Sequence, residues 1–418
     1  MTGVDAPAVC FADLLEPGDL VVVAQGAGEP SGLLAQLISE RDQVPDVEVF
    51  VGLSHSGLLS VPQARGLRLA SFGAMGVLGE LAGAGHVAVI PCNFRDVPRM
   101  LRARAPGRLV VLMQVAPADP AGRHSLGVAV DYTFELLGSA RLVIAEVNDQ
   151  LPTTSAPTVP ASAFAATLPT SRAIQVVDDV EPTDVQRRIA ELTAALVPDG
   201  ATIQLGVGAV PSVVGAALRA RRGLRVHSTL VGNWLLGLAE SGALTGERDG
   251  VQICEAAGSP KLYEYVVSGP AVFRSVSDLT SAPRLGAIDT LVAMNSALEV
   301  DLTGQVNAEE LNSGYVAGIG GQSDFMRAAQ RSGSGRSIVM LPATAVRGTQ
   351  SRIVPALQRG VVTTPRAAVD CVVTEHGVAD LRGLDLAQRR AALIAVAAPE
   401  YRHTLLTSRA GELDDRDR

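Results

Sequence analysis

Two homologous open α/β domains with mostly parallel sheets are the fold this sequence predicts. Three observations carry the prediction. Apolar runs of strand length alternate with helical patterns along the chain, which implies parallel strands covered by helices. A unit of strand, Gly-x-Gly loop and Pro-Ser helix start occurs twice, at Asp19 and at Ala201. Further matches accompany both copies in the same order, as a duplicated fold requires. At 418 residues the chain is long enough for two hydrophobic cores.

Taken in order, Asp19-Leu20-Val21-Val22-Val23-Ala24-Gln25 is a buried-strand run, followed by Gly26-Ala27-Gly28-Glu29-Pro30-Ser31 and a helical pattern over 33–37. More strands are expected near 46–50, 67–71, 86–91 and 109–115, with helices near 77–84 and 97–105. Residues 149–171 are rich in Pro, Thr, Ser and Ala without periodicity and read as a linker. An N-terminal domain is therefore expected at 1–175 and a C-terminal domain at 176–418. The second has strands near Ala201, Leu224, Val251, Leu291, Ser337 and Cys371 and a final helix over 386–397. LRLASFGAMGVLGELAGAG from Leu67 parallels LRVHSTLVGNWLLGLAESG from Leu224, and RLVIAEVNDQL from Arg141 parallels CVVTEHGVADL from Cys371.

The stretch from Gln204 to Trp234 reads as strand, glycine loop, helix, turn and second strand. At Gly206-Val207-Gly208 the missing β-carbons let backbone N–H groups approach a ligand, and Pro211 sits at the start of the following helix. That is an anion-binding geometry. It is not the dinucleotide fingerprint, because Pro211 stands where the third glycine is needed. From these residues alone, a ligand loop and a plain strand-to-helix turn both stay open.

Composition excludes several classes. A net charge of −8 argues against a nucleic-acid or anionic-membrane surface. Lys261 is the only lysine, which rules out a choice of lysine nucleophiles. Cys10, Cys92, Cys254 and Cys371 are far apart, so neither a disulfide framework nor a zinc site is indicated, and a reduced cytoplasm fits best. The opening MTGVDAPAVC lacks a basic region before an apolar core, so no signal peptide is expected. The long uncharged run 150–171 is too rich in proline and hydroxyls to span a bilayer. No metal constellation is visible.

A set of longer motifs is more specific: QLGVGAVPSVV, MNSALEVDLTGQVNAE, GIGGQSDFMRAA, SRIVPAL, VTTPRAAVD, VVTEHGVADLRG and AAPEYR, in that order. Together they resemble the acetyl-CoA hydrolase/transferase family, which includes 4-hydroxybutyrate and acetate CoA-transferases, over nearly the whole chain. The resemblance implies a CoA-transferase-type fold, coenzyme A or acyl-CoA as substrate with no metal, a small-molecule acceptor and a homodimer or higher oligomer. In that family a glutamate in a His-Ser-Glu or Tyr-Thr-Glu tripeptide attacks the thioester, giving an acyl-glutamyl anhydride and then a glutamyl-CoA thioester. Here the tripeptide is His227-Ser228-Thr229, followed by Gly232-Asn233-Trp234 where the family tends to have Ser-Asp-Gly.

Each candidate has a functional and a plain reading. Thr229 is either a substrate-contacting hydroxyl or a neutral filler where the carboxylate is lost. His227 shares a face with Thr229 in an extended strand and either assists it or packs as an ordinary hydrogen-bonded histidine. Glu299 is either a substitute carboxylate or part of a turn over Asp301-Leu302-Thr303-Gly304-Gln305. By the resemblance, Gly206, Val207, Gly208, Ala209 and Val210 form a CoA-contacting loop. Gly320, Gly321 and Gln322 supply further backbone donors, with Arg327 and Arg331 nearby. Gly377 matches a glycine whose N–H lies against the thioester as an oxyanion donor, or else a helix-capping turn. The loop Arg331-Ser332-Gly333-Ser334-Gly335-Arg336 either grips phosphates or is exposed and flexible.

Three functions follow. The first is an acyl-CoA enzyme that transfers its acyl group without a covalent glutamyl-CoA intermediate. The second is a conventional CoA-transferase with a substitute carboxylate, and the third a catalytically silent acyl-CoA-binding homologue.

Overall fold

The computed structural model describes residues 9–408; most of the N-terminal stretch read above for a leader lies outside them. Two compact units result. The first runs to Asp178 and also takes in Gln252–Leu279 and Gly314–Gly320; the second holds Asp179–Val251, Thr280–Ser313 and the chain from Gly321 on. The sequence-based division at 175/176 is contiguous, whereas these units are not.

In the first unit a 7-stranded sheet has the order Val87–Val89, Arg68–Ser71, Glu48–Val51, Leu20–Val23, Leu109–Val115, Leu142–Asn148, Ala166–Thr170. Its pairs are parallel. The central strands Leu20–Val23 and Leu109–Val115 are buried at every residue, because helices cover both faces of a parallel sheet and an unbroken apolar run suits such a strand. Leu33, Leu34 and Leu37 of the helix Ser31–Glu40 join Val21, Val49 and Val110 in the core.

The expected linker is not one. Residues 149–171 contain the strands Thr158–Pro160 and Ala166–Thr170, and the second pairs with Leu142–Asn148 from Ile144↔Ala166 to Asn148↔Thr170. Pro169 is tolerated because Ala166–Thr170 is the edge strand.

The strands of the second unit run in the order Arg225–Val231, Thr202–Leu205, Leu291–Ser296, Arg336–Met340, Cys371–Thr374, Gly377–Asp380. All pairs are parallel except the last, a hairpin. In both units the opening strand lies between its successor on one side and, on the other, a strand from much later in the chain, Leu109–Val115 or Leu291–Ser296. A glycine turn therefore leaves each unit's topological switch point, Gly26–Gly28 in one and Gly206–Gly208 in the other. The other two internal matches join non-equivalent strands. Arg68–Ser71 lies two places from its unit's opening strand and Arg225–Val231 one; Leu142–Asn148 lies two places out and Cys371–Thr374 three. The chain also continues past the helix Leu386–Val396 into another, Pro399–Thr407. Among the described residues no helix is long and apolar enough to cross a membrane.

Candidate active site

Strand Thr202–Leu205 ends at Gly206, whose N–H donates to Met294 O at 2.9 Å. A β-carbon on Gly206 would lie 2.7 Å from Asn295 Oδ1, so glycine is what lets Asn295 seat there. Asn295 and Gln204 exchange side-chain amide hydrogen bonds of 2.9 and 3.2 Å in a buried setting. Val207 is exposed, and Gly208 has φ +122, a conformation that side chains resist. The nine-residue helix Ala209–Ala217 then begins without a side-chain cap. Its first N–H groups are free of intrahelical partners and face outward with the positive end of the dipole, a surface suited to an anion.

Thr229 lies on Arg225–Val231, the strand beside Thr202–Leu205. Alternation along it is as expected. Ser228 is buried, its hydroxyl 3.0 Å from the carbonyls of Leu205 and Leu230. His227 is buried with its ring edge-on to Phe325, centroids 6.2 Å apart. Thr229 is half-buried, and its methyl lies 3.8 Å from where a Gly321 β-carbon would stand; Phe325 comes to 3.2 Å of the same point. Thr229, His227, Gly321 and Phe325 thus form one neighbourhood.

Gly321 precedes the ten-residue helix Gln322–Arg331, another start without a side-chain cap. Gln322 is buried and donates its amide to Thr364 Oγ1 at 3.1 Å, so it offers a ligand its backbone rather than its side chain. Gly320 belongs to the first unit, where Phe94 N–H donates to its carbonyl at 2.9 Å. Arg327 and Arg331 are exposed, Arg331 in the last turn, at the opposite end of the helix from Gly321.

Gly377 is in neither a helix cap nor a helix. It begins the outer strand of a β-hairpin, paired with Thr374 across the Glu375-His376 turn, with φ +146. Thr374 Oγ1 anchors that turn by donating to Val396 O at 2.6 Å and accepting from His376 N–H at 3.1 Å. Glu299 is held by one near and one distant donor rather than within the Asp301 turn. Its Oε1 accepts from Asn307 Nδ2 at 3.1 Å and Gln358 N–H at 3.2 Å, and burial raises its pKa. Asp301 Oδ1 accepts from the N–H groups of Thr303 and Gln305 at 2.9 and 3.1 Å, closing the turn in which Gly304 takes φ +94.

One group of acids is absent from the sequence reading. In the first unit Gln25 Nε2 donates to Glu255 Oε1 at 2.7 Å, and Gln25 N–H donates to Asp131 Oδ2 at 2.6 Å. Glu255 Oε2 is buried without a hydrogen-bond partner and lies 2.7 Å from where a Gly26 β-carbon would be. Burial, reinforced by the Asp131 charge, pushes Glu255 up to about 8; burial also lifts Asp131 to about 6. The available signal was a single glutamate inside the apolar strand Val251–Ala256. Among the described residues no cluster of three His, Cys, Asp or Glu is set to hold a metal.

Comparison with known proteins fits this geometry to a family. The family model "Acetyl-CoA hydrolase/transferase C-terminal domain" matches residues 258–409. The 4-hydroxybutyrate coenzyme A transferase of Clostridium kluyveri is 33% identical over 402 residues, 94% of either chain. Among solved structures, RipA from Yersinia pestis superposes with TM-score 0.84 at 30% identity, over 94% of this chain and 93% of that one. The 4-hydroxybutyrate CoA-transferase of Porphyromonas gingivalis gives 0.78 at 31%, over 95% and 96%. With a relative of that identity along almost its full length, the chain belongs to the acetyl-CoA hydrolase/transferase family.

Proposed function

We propose that this protein is an acyl-CoA-utilising enzyme that passes the acyl group directly from the CoA thioester to a bound small-molecule acceptor or to water, without a glutamyl-CoA intermediate. The observation that supports this reading is Thr229 beside Gly321, taken with the resemblance of His227-Ser228-Thr229 to the family's glutamate-bearing tripeptide. A threonine hydroxyl has no appreciable anionic fraction at neutral pH, so it is a poor nucleophile unless a base activates it. In the proposed step the oxygen of water or of an acceptor hydroxyl bonds to the acyl carbon, the C–S bond breaks, the thiolate leaves with the electron pair, and the proton lost by the attacking oxygen passes to it.

Backbone groups would do most of the work. The N–H groups of the Gly206–Val210 run would hold CoA, with Gly321 and Gln322 adding donors and the Gly377 N–H polarising the thioester carbonyl. Orientation and oxyanion stabilisation survive the loss of a covalent side chain, which is why activity is expected to persist. A covalent role for Glu299 fits less well, since its Oε1 already accepts two hydrogen bonds within the protein.

The test is intact mass spectrometry of the purified protein with acyl-CoA, alongside turnover assays with varied acceptors. The expected result is turnover that needs both substrates bound together and no covalent adduct. A CoA-sized adduct on a carboxylate would instead mean a substitute nucleophile. Binding without any turnover would make the chain a silent homologue.

A further inference from the structure

The glycine-rich loop that ends at Arg336 is not beside the Gly206–Gly208 turn. Ser334 and Arg336 line a cavity of about 190 Å³ together with Ala195, Pro198, Arg221 and Val292, all within the second unit. Arg336 opens its strand and pairs in register with Val292, the second residue of Leu291–Ser296. The cavity therefore sits at the amino ends of the parallel strands, whereas Gly206 follows the carboxyl end of Thr202–Leu205. Four strand residues, at about 3.3 Å each, put roughly 13 Å between the two ends.

The charges lining this cavity are one-sided. Two arginines and a serine are among its lining residues, and no acidic residue is. Both arginines are held by carbonyls that follow or end the helix Asp184–Ala194: Arg221 Nη2 donates to Ala194 O at 2.9 Å and Arg336 Nη1 approaches Leu196 O at 3.5 Å. Each guanidinium carries five N–H donors, so several remain after those contacts. Asp380 feels the Arg336 charge but is already bound by Arg382 through two hydrogen bonds of 2.9 and 2.6 Å.

The first unit supplies the contrast. At the amino ends of its own strands lies a cavity of about 280 Å³ lined by Asp19, Asp46, Glu48, Arg68 and Arg104. There each arginine has its acid, Arg68 with Asp46 at 2.9 Å and Arg104 with Glu48 at 2.7 Å. The fold thus has a cavity whose lining arginines are paired with lining acids in one unit, and in the other a cavity lined by arginines with no acid among its lining residues. The acid nearest in sequence to that lining, Asp199, accepts from Arg222 N–H at 2.8 Å.

We propose that the Arg221–Arg336–Ser334 cavity is a binding site for a small phosphate-type oxyanion, separate from the glycine loop at the other end of the strands. Planar guanidinium groups suit tetrahedral oxyanions through paired, charge-assisted hydrogen bonds. At about 190 Å³ the space is smaller than the ~300–1,000 Å³ of pockets that enclose drug-sized ligands, so one phosphate group fits the cavity better than a whole cofactor. The site requires nothing of the acyl-CoA reaction, and the two readings fail separately.

Inorganic phosphate titrated at constant ionic strength, with chloride as the balancing anion, is expected to raise Tm saturably and to bind once per chain by calorimetry. Arg336→Gln and Arg221→Gln should each weaken phosphate about tenfold or more while leaving CoA affinity unchanged. Adenosine 5′-monophosphate in a parallel titration separates the sources. Tighter binding than phosphate, still lost in Arg336→Gln, marks a nucleotide phosphate; equal or weaker binding marks the free ion. A phosphate response that survives both substitutions, is reproduced by chloride, or disappears when the protein is saturated with CoA overturns the proposal. Should Arg221→Gln fail to fold because Ala194 O loses its donor, Arg336→Gln decides, since its contact with Leu196 O is long.

Discussion

Gln25 ties two buried acids together, its side-chain amide on Glu255 at 2.7 Å and its backbone N–H on Asp131 at 2.6 Å. Among the described residues neither acid has an arginine partner. Buried carboxyls without a cation favour the neutral form, which is why burial raises both.

The consequence is a stability that falls with rising pH. In the unfolded chain these acids titrate near their ordinary values of 4.5 and 3.8; folded, they titrate near 8 and 6. The folded state therefore binds protons more tightly. The contribution is complete below about pH 4 and is lost progressively as pH rises through 6 and then 8. Across pH 5 to 9 the Glu255 share is on the order of 2–5 kcal/mol, from 1.36 kcal/mol per unit. Glu255→Gln, a permanently neutral mimic, should remove most of that slope. Denaturation midpoints at fixed ionic strength measure it, and a wild-type-minus-variant difference that stays flat over pH 5–9 contradicts it.

How legible such features were in the sequence depends on whether their cause is local. Leu109–Val115 was read to the residue because a fully buried parallel strand needs only an unbroken apolar run. The Asp301 turn was legible because the acceptor, the glycine and the donors lie within five residues. Ala166–Thr170 was missed because Pro169 and its small polar neighbours resemble a linker until the edge position is known. Gln25, Asp131 and Glu255 are separated by more than a hundred residues at each step, and no spacing announces a group assembled by tertiary packing. The glycine loops were visible as turns, but the arginine cavity was not, since only the strand order reveals which end of the sheet Arg336 occupies.

Two glycines of the 206–208 turn should fail for different reasons. Gly206→Ala drives a β-carbon to 2.7 Å from Asn295 Oδ1 and should break the Asn295–Gln204 pair, costing about 1–3 kcal/mol for the buried amide groups left unsatisfied. At Gly208 nothing lies within 4 Å of a new β-carbon, yet φ is +122, so Gly208→Ala should cost about 1–3 kcal/mol through strain alone. Urea denaturation with CoA calorimetry separates the cases. Both variants should bind CoA more weakly, and unchanged CoA affinity in both would remove this turn from the binding site.

Glu299→Gln keeps the shape of the side chain and an acceptor oxygen for Asn307 and Gln358, the two donors seen at Oε1. Turnover should fall by no more than about threefold. Removal of a true nucleophile costs on the order of 10³-fold or more, so a steady-state kcat is enough to decide the residue's role.

Thr229 can be tested in both directions. Thr229→Ala deletes the hydroxyl and should leave kcat within about threefold, because an un-ionised hydroxyl contributes little as a nucleophile. A loss of about 10²-fold or more would make it part of the chemistry. Thr229→Glu introduces a carboxylate on a strand whose neighbour, Gly321, has no side chain to obstruct it, the nearest atoms to its absent β-carbon being those of Phe325 at 3.2 Å and of Thr229 itself at 3.8 Å. If the surrounding donors still fit a thioester, this variant should acquire a CoA-sized mass adduct on incubation with acyl-CoA and discharge it to a carboxylic acid or water. A folded Thr229→Glu protein that binds CoA and forms no adduct would mean that the carbonyl no longer comes within reach of this strand, and direct transfer at this position would fail with it.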